Sequence, residues 1–138
     1  MRGLQGLFIR KITVTLMGLC IPLLFFPKAL FTQLGIPMEG PMMFIRLLGI
    51  AYLALCMGYY SGITAIKNKQ NPMAIIHMGL VSNGLAAAVF LYYGATGNWQ
   101  DWSPFAQGYM WALTVGAAYI SFGLGRAKKK YNSHSVAS

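Results

Sequence analysis

The run FIRLLGIAYLALCMGYYSGITAI, residues 44–66, decides which solvent this chain folds in. Its single charged residue is Arg46, close to its start. A helix of about 20 apolar residues crosses the hydrocarbon core of a bilayer, and this run is long enough to do so. In lipid, backbone hydrogen bonds must be made within the element, and a helix makes them. We therefore expect residues 44–66 to form a membrane-spanning α-helix.

The rest of the chain has the same character, with 57% hydrophobic and 9% charged residues, whereas soluble domains have about 25% charged residues. Long apolar runs and the short connection KNKQNP argue against a β-barrel. The predicted fold is all-α, an antiparallel bundle of four transmembrane helices in residues 1–126, followed by a basic, polar tail in residues 127–138. The predicted spans cover approximately residues 12–26, 44–66, 73–93 and 105–124.

Basic residues are distributed unevenly around these spans. Lys and Arg number 11 against 2 for Asp and Glu, and most cations lie before the first span, between the second and third, or after the fourth. These segments share one side of a four-span protein, and the positive-inside rule makes that side cytoplasmic. Both termini are therefore predicted to be cytoplasmic. The first apolar run lacks a small-x-small cleavage site and is interpreted as an uncleaved span, not a signal peptide.

Small residues recur every four positions on two of the spans. Such residues share a helix face and let two backbones approach closely in a membrane. We expect these faces to pack helix against helix within the chain, with an interface to a second copy or another membrane protein as the alternative. The residues are Ala54, Gly58, Gly62, Gly108, Ala112 and Gly116.

Arg46 has two interpretations. A charge at the bilayer centre costs at least a few kcal/mol, but near a helix end the side chain can reach the interface. Arg46 is therefore first a boundary residue at the outer interface. In the second interpretation it turns inward and holds an anionic headgroup, a carboxylate or a quinone oxygen. Glu39 is one candidate ion-pair partner.

Four further residues are candidate contacts for a ligand or partner: His77 and Asn83 in the third span, and Trp99 and Trp102 after it. The first two lie on different helix faces and are predicted to make hydrogen bonds between helices, with a ligand contact or proton relay as the alternative. The tryptophans fit an aromatic belt at the interface, or else a lid or docking face. One histidine and two separate thiols do not make a metal site, and none is expected.

Catalytic groups are scarce. Cys20 and Cys56 fall near mid-depth in neighbouring spans and are interpreted as small hydrophobes, with a redox pair as the alternative. The only acids, Glu39 and Asp101, lie in predicted connections, so no span offers the carboxylate that a proton-driven exporter needs. No catalytic residue is predicted. The net positive charge comes without a basic helix or groove-reading motif, which argues against nucleic acid as a partner.

The segments FPKALFTQLGIP and FIRLLGIAYLALCMGYY resemble the DoxX-like group of small four-helix membrane proteins. The resemblance covers roughly the first half of the chain. It implies a bacterial cytoplasmic (inner) membrane and a shared structural or ligand-facing role for Arg46. Some members of the group resemble subunits of thiosulfate:quinone oxidoreductase, and others resemble accessory or assembly factors. The matching residues are Pro27, Leu34, Gly35, Ile36, Arg46 and Gly49.

The predicted function is that of a small, non-catalytic integral membrane protein without a cofactor. It would serve as an accessory or assembly subunit, or bind an apolar ligand. The alternative is a subunit of a membrane redox enzyme in which quinone contacts Arg46, His77 or the outer aromatics. The expected partner is the lipid bilayer, with another membrane protein or a second copy of the chain as further candidates.

Overall fold

The computed structural model describes residues 2–38 and 40–135, and every regular element in that part of the chain is helical. The first helical stretch consists of two α-helices joined by one π-helical turn. A short helix follows this stretch, and three long helices complete the described part of the chain. The elements are α1 (Arg2–Thr15), the π turn (Leu16–Cys20), α2 (Ile21–Phe25), α3 (Lys28–Gln33), α4 (Met42–Lys67), α5 (Met73–Ala95) and α6 (Pro104–Ser135).

Within the described residues, three stretches are long and apolar enough to cross a membrane: Gly3–Phe25, Met42–Lys67 and Met73–Ala95. They indicate a membrane protein, and the prediction of an all-α fold is confirmed. Helix α6 is longer than any of them but is not among the three. The predicted count of four spans is therefore not confirmed and stays a prediction.

The long helices pack side by side as two pairs. Contacts are most extensive between α5 and α6 and between α1 and α4. Helix α6 runs antiparallel to α5, because Trp111 near its start lies over Gly94 near the end of α5, and Leu124 lies over Gly79 near the start of α5. The two pairs meet in a hydrophobic core at the end of the bundle that carries the chain termini.

Core and surface are both apolar. Phe8, Tyr59, Ile76 and Leu124 are at most 1% exposed and form the centre of the core. On the outside, large apolar side chains face away from the bundle, and Phe25 is 73% exposed. Soluble monomers rarely expose large contiguous apolar patches, so this surface is the one expected in contact with lipid.

The first span begins earlier than predicted, at Gly3 instead of about residue 12. Helix α1 passes through Arg10 and Lys11 without interruption, since long basic side chains can bury their stems and direct their charges elsewhere. At the other end of the chain, α6 continues to Ser135. The helix thus includes most of the segment that was predicted as a polar tail.

The predicted small-residue contacts hold for only part of α4. A Cβ at Gly58 would lie 3.1 Å from the side chain of Met78, and Gly62 is buried against α1 and α5. Ala54, by contrast, is exposed. Its packing role is corrected, because the face of α4 that meets the other helices carries Gly58 and Gly62 and turns Ala54 outward.

The packing prediction is also corrected for α6. A Cβ at Gly108 or Gly116 would meet no atom within 4 Å, and Gly108 and Ala112 are exposed. Gly116 and Ala112 instead line a cavity. The four-residue spacing was read correctly as one face of a helix, but that face adjoins open space instead of a second backbone.

Ser103 joins two helix ends on the side opposite the termini. Its hydroxyl donates to the Leu34 carbonyl at 2.7 Å and accepts from the Ala106 N–H at 3.2 Å. One side chain therefore caps the start of α6 and holds the end of α3. Gly35, with φ +73°, follows α3, and a Cβ there would overlap Ser103.

Lys69→Gly is expected to stabilise the protein by about 1 kcal/mol, because Lys69 has φ 55°, a left-handed conformation that costs a non-glycine residue roughly 1–2 kcal/mol. Lys69 follows the end of α4 in a Schellman motif, in which the Gln70 N–H donates to the Ala65 carbonyl at 2.8 Å. Glycine is the preferred residue at the position of Lys69 in this motif. Thermal unfolding in detergent measures the change. Lys67→Gly, at the last residue of α4 where the backbone is still helical, is the control and is expected to be destabilising.

Candidate ligand-binding site

A cavity of about 610 Å³ lies between α1, α4, α5 and α6. Ligand pockets in proteins usually measure about 300–1,000 Å³. The two helix pairs pack against each other in the core near the termini. Farther from the termini, small residues such as Ala86, Ala112 and Gly116 line the cavity and leave its space unfilled. The volume suits one small molecule.

The two ends of this cavity differ in polarity. Lys11, Ser82 and Asn83 line the end nearer the termini, whereas Leu19 and Phe90 line the other end. The helical rise from Lys11 to Leu19 corresponds to about 12 Å. The lining is therefore matched to a molecule with one polar end and one apolar end.

Lys11 and Thr15 are one helical turn apart on α1 and share a face. Both line the cavity. Lys11 is half-buried. Thr15 is 2% exposed, and its hydroxyl oxygen has no hydrogen-bond partner among the described residues. A cation and a buried hydroxyl without a partner in the described part of the chain therefore lie on these two residues of α1, which border the cavity.

The cavity is open toward the outer surface of the bundle. Ile9, Val14, Leu48 and Tyr119 line it and are also 48–61% exposed. Across this rim, Arg10 of α1 donates a hydrogen bond of 3.2 Å to the Tyr119 hydroxyl of α6. A molecule dissolved in the bilayer can therefore reach the cavity without passing through the connections.

Asn83 lies at the polar end of the cavity and joins two helices. Its side-chain nitrogen donates to the Tyr59 hydroxyl of α4 and to the Gly79 carbonyl, both at 2.7 Å. Asn83 and Tyr59 are 3% and 1% exposed. The structure thus contains the hydrogen bond between helices that was predicted for Asn83, and the same residue adjoins the cavity.

Arg46 binds two backbone carbonyls at the end of the first span. Its guanidinium donates to the Leu23 carbonyl at 2.7 Å and to the Phe26 carbonyl at 2.8 Å. The regular helical donor for Leu23 would be residue 27, which is proline and has no N–H. Neither interpretation of Arg46 from the sequence included this role, and Glu39 lies outside the described residues.

Pro22 likewise removes a backbone hydrogen-bond donor, in this case inside the first span. It cannot donate to the Gly18 carbonyl four residues earlier, and the chain adopts the π turn there. The hydroxyl of Tyr109 on α6 donates to that carbonyl. Pro22 inside the first span and Pro27 just after it therefore each leave a carbonyl without its helical donor, and side chains from α6 and α4 bind these carbonyls.

Cys20 and Cys56 are free, buried thiols that lie near each other, on the first span and on α4. Their proximity agrees with the prediction that they could approach each other, and whether they react stays a prediction. No group of three or more metal-ligating residues occurs within the described chain.

The remaining candidate residues lie away from the cavity. His77 is exposed near the start of α5 and does not line the cavity. Trp99 is 5% exposed and packs edge-to-face on Trp111 with ring centroids 5.8 Å apart, while Trp102 is half-buried beside it. These tryptophans cover the outer ends of α5 and α6 and do not contact the cavity.

Sequence reasoning missed Lys11, Thr15 and Tyr52 as lining residues. Lys11 was assigned to the flank of the first span, and the four-residue spacing of a cation and a hydroxyl in that span was the available signal. No protein-family model, curated protein or solved structure matches the chain. Its function is therefore inferred from its own residues.

Proposed function

We propose that this chain is a small integral membrane protein that binds an apolar ligand within the bilayer. One observation carries the proposal: a cavity of about 610 Å³, apolar over most of its lining, lies between the long helices and opens onto their apolar outer surface. Lipids and other hydrophobic small molecules are concentrated in that environment. A site open to lipid and lined in this way selects them over water-soluble molecules.

The proposed placement is the cytoplasmic (inner) membrane of a bacterium, with four crossings and both termini cytoplasmic. Helix α6 supports a fourth crossing because it lies antiparallel to α5 along its length and exposes Val115 and Phe122. The uneven distribution of basic residues supports the orientation. Protease protection of tags at the two termini tests it, and a tag cleaved from outside intact cells would contradict it.

The proposed biological role is non-catalytic, that of an accessory or assembly subunit of the DoxX-like kind that presents or senses the ligand. Two of the residues that carry the resemblance support this role. Arg46 donates to the carbonyls of Leu23 and Phe26 at the end of the first span, where Pro27 has no N–H to offer. A second candidate is a subunit of a quinone-linked redox enzyme, favoured by the two neighbouring thiols. A quinone retained by the purified protein would favour this second function.

Gly116→Leu tests the cavity directly. A leucine there would project into the cavity without displacing another helix, since a Cβ at Gly116 meets no atom within 4 Å. We expect the variant to fold and to lose at least about 90% of bound neutral probe, because the added side chain occupies the space. Native mass spectrometry counts the oleyl alcohol molecules retained per chain after detergent is removed.

Gly108→Leu is the matched control for this test. Gly108 lies two turns earlier on α6, also has no atom within 4 Å of its Cβ, and does not line the cavity. The control is expected to retain oleyl alcohol as the wild type does. Equal retention by wild type and Gly116→Leu would contradict binding in the cavity.

A further inference from the structure

The polar end of the cavity contains a positive charge for which the membrane-spanning part of the chain has no counter-ion. Lys11 is half-buried in the first span and lines the cavity. The chain has only two acidic residues, Glu39 and Asp101, and neither belongs to one of the three apolar spans. Among the described residues, the ammonium makes no hydrogen bond or ion pair, and its only electrostatic partners are the thiols of Cys20 and Cys56, which are weak hydrogen-bond acceptors. A buried charge without a partner is costly, so an anion is expected here.

Thr15 is the second, independent observation at the same place. Its hydroxyl oxygen is buried and unpartnered among the described residues, although buried polar atoms are nearly always hydrogen-bonded. Thr15 lies one turn from Lys11 on the cavity face of α1. A ligand atom that accepts a hydrogen bond would satisfy this hydroxyl.

The size of this polar group limits the headgroup. One ammonium and one hydroxyl offer a single positive charge and donors on two side chains, which match the single negative charge and the two oxygens of one carboxylate. The neighbouring cation, Arg10, is turned to the rim, where it bonds Tyr119. A phosphate monoester carries nearly twice the charge of a carboxylate, and the single ammonium of Lys11 would leave about half of that charge uncompensated.

The rest of the cavity fits a single hydrocarbon chain. From Lys11 the lining becomes apolar toward Leu19 and Phe90, over about 12 Å. The exposed rim at Val14 and Leu48 lets a longer chain continue into the bilayer. The headgroup end, by contrast, is bounded by the packed core around Phe8 and Tyr59.

We propose, on the basis of the ligand-binding function above, that the cavity takes a long-chain carboxylate of the fatty-acid class. Its carboxylate accepts hydrogen bonds from the Lys11 ammonium and the Thr15 hydroxyl, and its hydrocarbon chain lies along the apolar end of the cavity. The protein would thereby distinguish an acidic single-chain lipid from a neutral one of the same length.

The test compares two probes of equal chain length, oleate and oleyl alcohol, competing for the full-length protein in detergent. Native mass spectrometry gives their ratio at equal concentration. We expect the wild type to prefer oleate by about tenfold or more. Lys11→Met should lose that preference, whereas Thr15→Val should reduce it about threefold. The larger effect is expected at Lys11 because hydrogen bonds between charged groups are the stronger ones. Lys67→Met, at an exposed lysine outside the cavity, is the control and should keep the wild-type ratio.

Each outcome distinguishes this inference from the proposed function. If both probes are retained but Lys11→Met leaves their ratio unchanged, the carboxylate assignment is overturned and apolar-ligand binding stands. If neither probe is retained by the wild type, both are overturned. A co-purifying quinone or two-chain lipid in the cavity would also contradict the carboxylate assignment. Thr15→Val keeps the test decisive even if Lys11→Met yields no folded protein.

Discussion

Replacing Arg46 by methionine is expected to lower the free energy of unfolding by at least about 3 kcal/mol, since each hydrogen bond to a charged group contributes about 1.5–3 kcal/mol. The change removes both donors from the Leu23 and Phe26 carbonyls. Pro27 cannot supply a replacement N–H, so the Leu23 carbonyl would be left without its donor in an apolar setting. Unfolding in mixed detergent micelles measures the loss.

Two further variants show whether the carbonyl contacts are the cause. Lys28→Met removes a nearby exposed cation and is expected to change stability by no more than about 0.5 kcal/mol. Pro27→Ala restores a backbone N–H, so Arg46→Met should cost less in that background than in the wild type. If Arg46→Met were as stable as Lys28→Met, the role of Arg46 in holding the end of the first span would be refuted.

Gly62→Leu is expected to have the other large effect, a loss of more than about 3 kcal/mol or no recoverable folded protein, since overpacking a core usually costs about 1–3 kcal/mol and sometimes more. A Cβ at Gly62 would lie 2.8 Å from the Phe8 ring and 2.9 Å from Cγ2 of Ile75. These side chains belong to α1 and α5, so a leucine would push α4 away from two helices at once. Thermal unfolding in detergent measures the effect.

The same substitution at Gly116 is the matched comparison. Both glycines lie inside helices, so both gain about 1 kcal/mol of helix propensity when replaced. Only Gly62 has neighbours within 4 Å of its Cβ. Gly116→Leu is therefore expected to be at least as stable as the wild type, and equal destabilisation of the two variants would contradict the packing described for α4.

Hydrophobic runs predicted the locations of the long helices well. Helix α4 covers 42–67 against a prediction of 44–66, and α5 covers 73–95 against 73–93. These boundaries follow from chain-local properties, because apolar length, flanking cations and prolines act within a few residues. The start of the first span was placed too late for a related reason. Arg10 and Lys11 were taken as a boundary, but long basic side chains can be accommodated inside a helix.

The candidate site depended on relations that no local pattern contains. The four-residue spacing at Gly62 and at Gly116 is the same in the sequence, yet one glycine contacts two helices and the other faces a cavity. Arg46 was recognised as unusual, but its partners, the carbonyls of Leu23 and Phe26, are backbone atoms on another helix. The Leu23 carbonyl needs a donor because residue 27 is proline, which is far from Arg46 in the chain.

The sequence by itself determined that this chain is helical, belongs in lipid and has no carboxylate within its apolar runs, because these properties depend only on which residues follow one another. Only the tertiary structure decided that the helices leave a cavity and that Lys11 and Thr15 line it. It also decided that Arg46 donates its hydrogen bonds to carbonyls at the end of the first span. The physical reason is that packing and hydrogen bonding depend on distances between helices, and helix–helix distances are set by the whole bundle at once.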